Sequence, residues 1–370
     1  MSAAHATVDL DDTDGLLEAD RDGLLRFAAM AGAQVRSTAA AVDEGALESV
    51  ASDQRPRTVI WLAGRGPAES AGAMLTAALG ATASQPIVTA AQAPPWIGPL
   101  DVLIVAGDDP GDPVLVSAAA MAVRRGARVV IAAPYEGPLR DATAARAAVL
   151  APRLWVPDEF GLCRYLAAGL AVLEVVDPGV GIGTAGGSEA TGGFDLGALA
   201  DELDAEALRN SAVREVFTNP AKVLAERMSG RQAVLAGDCS GTLALARHGG
   251  VVMLRVGGRP VGAAGLADAL VALRRGVATG FADPVDALFH DEEIDGPLPS
   301  RPRVLALTLA DERPLLGARI AGIDGVDLVG VEDVGEAGSV PATGGRAEQQ
   351  LATLAVRLEM AAVYLRLTGG

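Results

Sequence analysis

The sequence predicts an α/β fold made of two three-layer αβα halves, each built on a mostly parallel sheet. Three observations carry that prediction. First, short apolar runs alternate with segments of helical period along most of the 370 residues. Second, residues 94–134 write a complete βαβ unit: an apolar run at 101–106, a loop at 107–113, a helix at 114–125 ended by Gly126, and a second apolar run at 129–133. Third, the stretch DPGVGIGTAGGSEATGGF, residues 177–194, separates two halves with the same alternation.

The elements follow in order. Residues 14–49 read as one or two helices, because Leu16, Leu17, Leu24, Leu25 and Phe27 recur at near-helical spacing. TVIWLA at 58–63 is a strand, 64–67 a loop and 69–79 a helix. A short strand at 86–89 precedes the βαβ unit, and a strand at 154–156 and a helix at 160–175 follow it. The Gly-rich stretch comes after a helix rather than a strand, so it reads as a linker and not as a nucleotide loop. Beyond it, 196–209 and 221–228 are helices, 232–236 a strand, 242–247 a helix and 251–256 a strand. A helix at 263–275, strands at 304–309 and 326–331, and a long amphipathic helix at 347–367 close the chain. The expected division is a helical segment at 1–50, one α/β domain at 51–176, the linker at 177–195 and a second α/β domain at 196–370. A cleft is expected between the two halves.

Composition narrows the function classes. The net charge of −17 opposes binding to nucleic-acid backbones or anionic membranes. No apolar run approaches the ~20 residues that span a bilayer, and the acidic start MSAAHATVDLDDTDG lacks the regions of a signal peptide. A cytoplasmic location is the expectation. Cys163 and Cys239 lie in different halves, and the histidines are His5, His248 and His290, so no zinc site is written and no cofactor is expected. Lys222 is the only lysine, in a chain whose basic residues are otherwise arginine.

Four segments carry a resemblance: WLAGRGPA at 61–68, PPWIGP at 94–99 leading into the Asp-rich loop, NPAK at 219–222, and FHDEEI at 289–294. In order and spacing the chain resembles the bifunctional phosphoglucose/phosphomannose isomerases, built from two sugar isomerase (SIS) domains. The resemblance implies two SIS-type αβα domains and a sugar-phosphate substrate. It also implies isomerisation of glucose 6-phosphate or mannose 6-phosphate to fructose 6-phosphate through ring opening and an enediol(ate), and commonly a homodimer. His290 matches the position of the family's ring-opening histidine; the alternative is a surface histidine beside Asp291, Glu292 and Glu293. The family's proton-carrying glutamate lies upstream of that motif. No glutamate occurs between Arg255 and Phe289 here, and Asp283 and Asp286 are the nearest acids. A carboxylate suits such a shuttle because its pKa tunes towards neutrality.

The family's phosphate loops are rich in Gly, Ser and Thr. This chain has Arg65 and Gly66 after the first strand, and Asp108, Asp109 and Asp112 after a later one. An ionised carboxylate facing a phosphate at about 4 Å costs roughly 4 kcal/mol at an effective dielectric near 20. Arg65 offsets part of that by pairing with the ligand or with Asp108, and Ser70 and Ser117 offer hydroxyls. The three aspartates admit two other readings, a divalent-cation site or plain turn residues beside Gly and Pro. Asn219 and Pro220 read as a helix cap and first position, with Lys222 either entering a cleft or lying on a solvated face. The degraded motifs favour an alternative to the enzyme: an inactive SIS-domain protein that binds a sugar derivative or a partner protein.

Overall fold

The computed structural model describes residues 8–177, 193–274, 302–333 and 345–369. In chain order the helices are α1 (Thr13–Ala19), α2 (Leu24–Ala28), α3 (Ala31–Asp43), α4 (Pro67–Leu79), α5 (Pro113–Arg124), α6 (Gly137–Thr143) and α7 (Leu162–Val176). They continue with α8 (Leu196–Arg209), α9 (Pro220–Met228), α10 (Ser240–Arg255), α11 (Leu266–Arg274), α12 (Arg313–Ile320) and α13 (Ala347–Leu367). The strands are β1 (Thr58–Ala63), β2 (Ile87–Ala90), β3 (Asp101–Ala106), β4 (Arg128–Ala132), β5 (Ala148–Val149), β6 (Ala233–Gly237), β7 (Gly262–Gly265), β8 (Arg303–Leu307) and β9 (Val326–Val329).

The described residues form two compact units, both discontinuous in sequence. The first combines Asp22–Ser211 with Arg346–Arg357, and the second combines Met1–Arg21, Ala212–Gly345 and Leu358–Gly370. In the first unit, five parallel strands run in the order β2-β1-β3-β4-β5. β1 and β3 are buried along almost their whole length and apolar after their first residues, Thr58 and Asp101, because helices cover both faces of the sheet. Ile60, Leu62, Leu103, Val105, Leu115, Ala119 and Ile131 form the core beneath α5. In the second unit, four parallel strands run β7-β6-β8-β9, with Ala236, Leu266, Leu270, Val304, Ala306 and Leu316 packed together. The central strands of the two sheets share one order, as the repeated sequence alternation implies. The α/β architecture of two parallel sheets flanked by helices is therefore the observed one.

Several elements differ from the sequence reading. Residues 14–49 hold three short helices and a 3-10 turn at Glu48–Val50, broken where Gly23 adopts a left-handed φ of 67°. The strand expected at 154–156 is absent, and Trp155 is 75% exposed. The edge position goes to two-residue β5, paired with Val130 and Ile131. Residues 251–256 are not a strand: 251–255 are the last turn of α10, and the edge strand comes later, at β7. A short apolar run cannot be told from a buried helix by period alone. Gly249 and Gly250 look like a break but are packing positions. A Cβ on Gly249 would lie 2.6 Å from Leu235 Cδ1, and one on Gly250 would lie 3.1 Å from the Val261 carbonyl. The closing helix α13 is not amphipathic either, since every residue from Gln350 to Leu365 is buried. Its charged residues therefore need partners inside the protein.

Candidate functional site

In the first unit the chain leaves β1 through α4 towards β2 on one side, and leaves β3 through α5 towards β4 on the other. The sheet therefore reverses direction between β1 and β3, and open α/β sheets bind ligands at the carboxyl end of such a switch point. Register brings the two loops level there. Ala63 pairs with Ala106, and the Gly64 amide donates to the Ala106 carbonyl at 3.1 Å. Arg65, Gly66, Ser70, Asp108 and Asp109 thus follow the carboxyl ends of neighbouring strands.

Glycine permits this geometry at two positions. Gly66 has φ 64°, a conformation open to glycine, and a Cβ there would meet nothing within 4 Å. A Cβ on Gly107 would lie 2.6 Å from Leu115 Cδ1, so its absence lets α5 start close to the strand end. Gly66 is the N-cap of α4 and supplies no side-chain cap, with Pro67 at the first helical position. The first helical bond of this turn is Ser70 N–H to the Gly66 carbonyl, 3.1 Å. The earlier amides, at Ala68 and Glu69, thus precede the helical ladder and give the helix start partial positive charge. Arg65 is exposed and forms no ion pair among the described residues.

The aspartates opposite have local duties. Asp112 caps α5, its Oδ1 accepting from the Val114 amide at 2.8 Å. Asp109 Oδ1 accepts from the Gly111 amide at 2.7 Å, closing a turn in which the Asp112 amide also donates to the Asp109 carbonyl at 3.2 Å. Asp108 makes no hydrogen bond among the described residues. Among those residues no group of three or more His, Cys, Asp or Glu side chains is arranged to hold a metal ion.

At the start of α7, Arg164 lies over Tyr165, with Cζ 4.1 Å from the ring centroid. Burial pushes the Tyr165 phenol up; Arg164 opposes the rise, and Asp108 and Asp158 add to it. Arg164 and Tyr165 are 56 and 57 residues from Asp108, so no local sequence pattern links them to this loop.

The corresponding edge of the second unit is closed. The start of α10 is capped by Cys239, whose Sγ accepts from the Thr242 amide at 3.4 Å, while the Thr242 hydroxyl accepts from the Cys239 amide at 3.2 Å. Asp238 on the same loop is held by Arg319 Nη1 at 2.7 and 2.6 Å. Lys222 belongs to this unit and is fully buried. Its ammonium donates to the Ala212 carbonyl at 2.8 Å and the Arg214 carbonyl at 2.7 Å, and sits 5.6 Å from the Tyr364 ring centroid. Burial lowers its pKa, against the pull of Asp11 and Asp9. The lone lysine thus ties down the entry to α9 and is neither solvated nor open. Asn219 caps that helix through the Lys222 amide at 3.0 Å, as its position in NPAK predicts. His290, Asp283 and Asp286 lie outside the described residues, as do 178–192 of the Gly-rich stretch.

No protein-family model matches this chain, and no curated protein matches its sequence. Its fold is shared with solved structures at low identity. It is similar to tagatose-6-phosphate ketose/aldose isomerase from Escherichia coli, with TM-score 0.61 and 13% identity over 94% of this chain and 93% of that one. It is also similar to the C-terminal domain of glucosamine-fructose-6-phosphate aminotransferase from Francisella tularensis, with TM-score 0.54 and 8% identity over 93% and 95% of the two chains. A glucose-6-phosphate isomerase like protein from Thermus thermophilus gives TM-score 0.51 and 19% identity over 98% and 94%. Among the described residues no helix is long and apolar enough to cross a membrane.

Proposed function

We propose that a protein with this shared fold, whose first unit keeps an open helix start at its switch point, binds a sugar phosphate there and isomerises it between aldose and ketose. One observation carries the reading: α4 begins uncapped beside Arg65 and Gly66, whereas the matching helix start in the second unit is filled by its own residues. Free amides and a helix dipole at a sheet's carboxyl edge suit a phosphate. The names of the proteins that share the fold support the substrate class.

The resemblance to the phosphoglucose/phosphomannose isomerases supplies the finer proposal. His290 opens the sugar ring, and Asp283 or Asp286 carries the proton between adjacent carbons. The reaction uses neither metal nor nucleotide. The same reading expects a homodimer in the cytoplasm. The test is formation of fructose 6-phosphate from glucose 6-phosphate or mannose 6-phosphate, measured by a coupled assay, with His290→Ala as control. Turnover abolished by that substitution supports the proposal. Turnover unchanged by it removes His290 from the mechanism.

The second reading is a binding module without turnover. It is favoured by the three aspartates in the loop after β3 and by the lack of a glutamate between Arg255 and Phe289. Saturable binding of the sugar phosphates with no product identifies it. Asp112 provides a further check on the location. Asp112→Ala is expected to lose the α5 cap and about 1 kcal/mol of stability, while Asp112→Asn keeps the cap. If the phosphate sits here, removing that charge raises affinity by about tenfold, a small part of the Coulomb limit. Isothermal titration of the asparagine variant measures this, and an unchanged affinity places the ligand elsewhere.

A further inference from the structure

The loop after β3 contains one acidic side chain that the fold does not use, and exposed Glu69 adds a second negative charge in the first turn of α4. Asp109 and Asp112 are engaged by backbone amides, but Asp108 makes no hydrogen bond among the described residues. A phosphate held here faces that carboxylate, so the site needs a cation beyond exposed Arg65. Arg164 has the required features. The turn before it packs against α4, and Gly169, further along α7, lies against Leu75 of α4 and Trp61 of β1, which sets Arg164 towards the carboxyl edge of the sheet. The guanidinium is laid on the Tyr165 ring, which orients it in advance. Its Nη1 is shielded from solvent and has no acceptor, an expensive condition that an incoming oxyanion relieves.

We infer that Arg164 supplies the positive charge that holds the ligand's phosphate at this crevice, in place of a hydroxyl-rich loop. The inference rests on the sugar-phosphate reading above and deepens it. The planar fork of arginine suits two phosphate oxygens at once, which lysine does not reproduce. Arg164 acts here as a binding residue, and no bond is made or broken at it.

The experiment uses the full chain, titrated by calorimetry with fructose 6-phosphate, inorganic phosphate and unphosphorylated fructose. Arg164→Gln keeps an aliphatic stem over Tyr165 and removes the charge; Arg164→Lys keeps the charge and loses the fork. The expected result is at least a tenfold loss of affinity for both phosphates in Arg164→Gln and a smaller loss in Arg164→Lys, with any binding of fructose unchanged. The Lys variant keeps the test alive should the Gln variant melt early. Phosphate affinities within twofold of wild type in either folded variant overturn the inference and leave the sugar-phosphate reading standing. A wild-type protein that binds neither phosphate overturns both.

Discussion

Replacing Arg357 with methionine is expected to destabilise the first unit by about 3–5 kcal/mol. Arg357 is almost completely buried on α13 and pairs with Glu206 of α8, which is fully buried. Arg357 Nε donates to Glu206 Oε1 at 2.7 Å and Nη2 to Oε2 at 3.3 Å. Asn210 Nδ2 donates to Oε1 at 2.7 Å and Arg209 Nε to Oε2 at 3.0 Å, so both carboxylate oxygens are fully served. Burial by itself pushes the Glu206 carboxyl up; Arg357, Arg209 and Asn210 outweigh it and hold the group below the usual carboxylate range. Methionine leaves a buried charge with only part of its compensation.

The sign of the pH dependence follows. A lowered folded pKa gives stability that is complete above the unfolded carboxylate value and is lost as pH falls through the folded one. In Arg357→Met the carboxyl loses its strongest partner and protonates at higher pH, so the penalty shrinks on acidification. Urea titrations of both proteins at pH 7 and pH 5 measure this. A penalty below about 1 kcal/mol at pH 7, or one that grows at pH 5, contradicts the account. The double variant Glu206→Leu with Arg357→Met is expected near wild-type stability, because an apolar pair of similar volume replaces a buried ion pair at little cost.

Gly237→Ala is expected to cost about 3 kcal/mol in the second unit, the upper end of ordinary overpacking. A Cβ there would lie 2.2 Å from the Leu243 amide nitrogen and 2.4 Å from the Thr242 carbonyl carbon. These are backbone atoms of α10, so no rotamer change relieves the contact. The helix must move off β6, opening the loop that Cys239 caps. Gly262→Ala in neighbouring β7 is the control, since its nearest neighbour would be Val234 Cγ2 at 3.4 Å, an ordinary contact. Its effect is expected within about 0.5 kcal/mol. Equal melting temperatures for the two variants would remove close β6–α10 packing as the reason for glycine.

Much of the fold was legible in the sequence because its signals act over a few residues. β1 and β3 begin and end where the apolar runs do, α8 matches its periodic segment, and α13 has the expected bounds though not the expected polar face. Asn219 caps α9 as its place before Pro220 implies. The reading failed where a local signal had two meanings. Gly249 and Gly250 mimic a helix end but serve close packing, and the apolar run after them fits strand and helix equally. The aspartates after β3 read as an acidic site, yet two of them are turn and cap residues.

The α/β class, the repeated alternation of the two halves and the loops after the strands can be read from the chain itself. Those follow from side-chain period, turn chemistry and composition, which are properties of neighbouring residues. The folded chain was needed to show that α8 packs with α3, that α13 is buried on every side, and that Lys222 is consumed by two carbonyls. It alone set the start of α7, where Arg164 lies on Tyr165, beside α4, and it alone distinguished an open helix start in one unit from a capped one in the other. These are partnerships across tens to hundreds of residues. Their energy depends on which groups lose water together, and no local pattern in the chain records that.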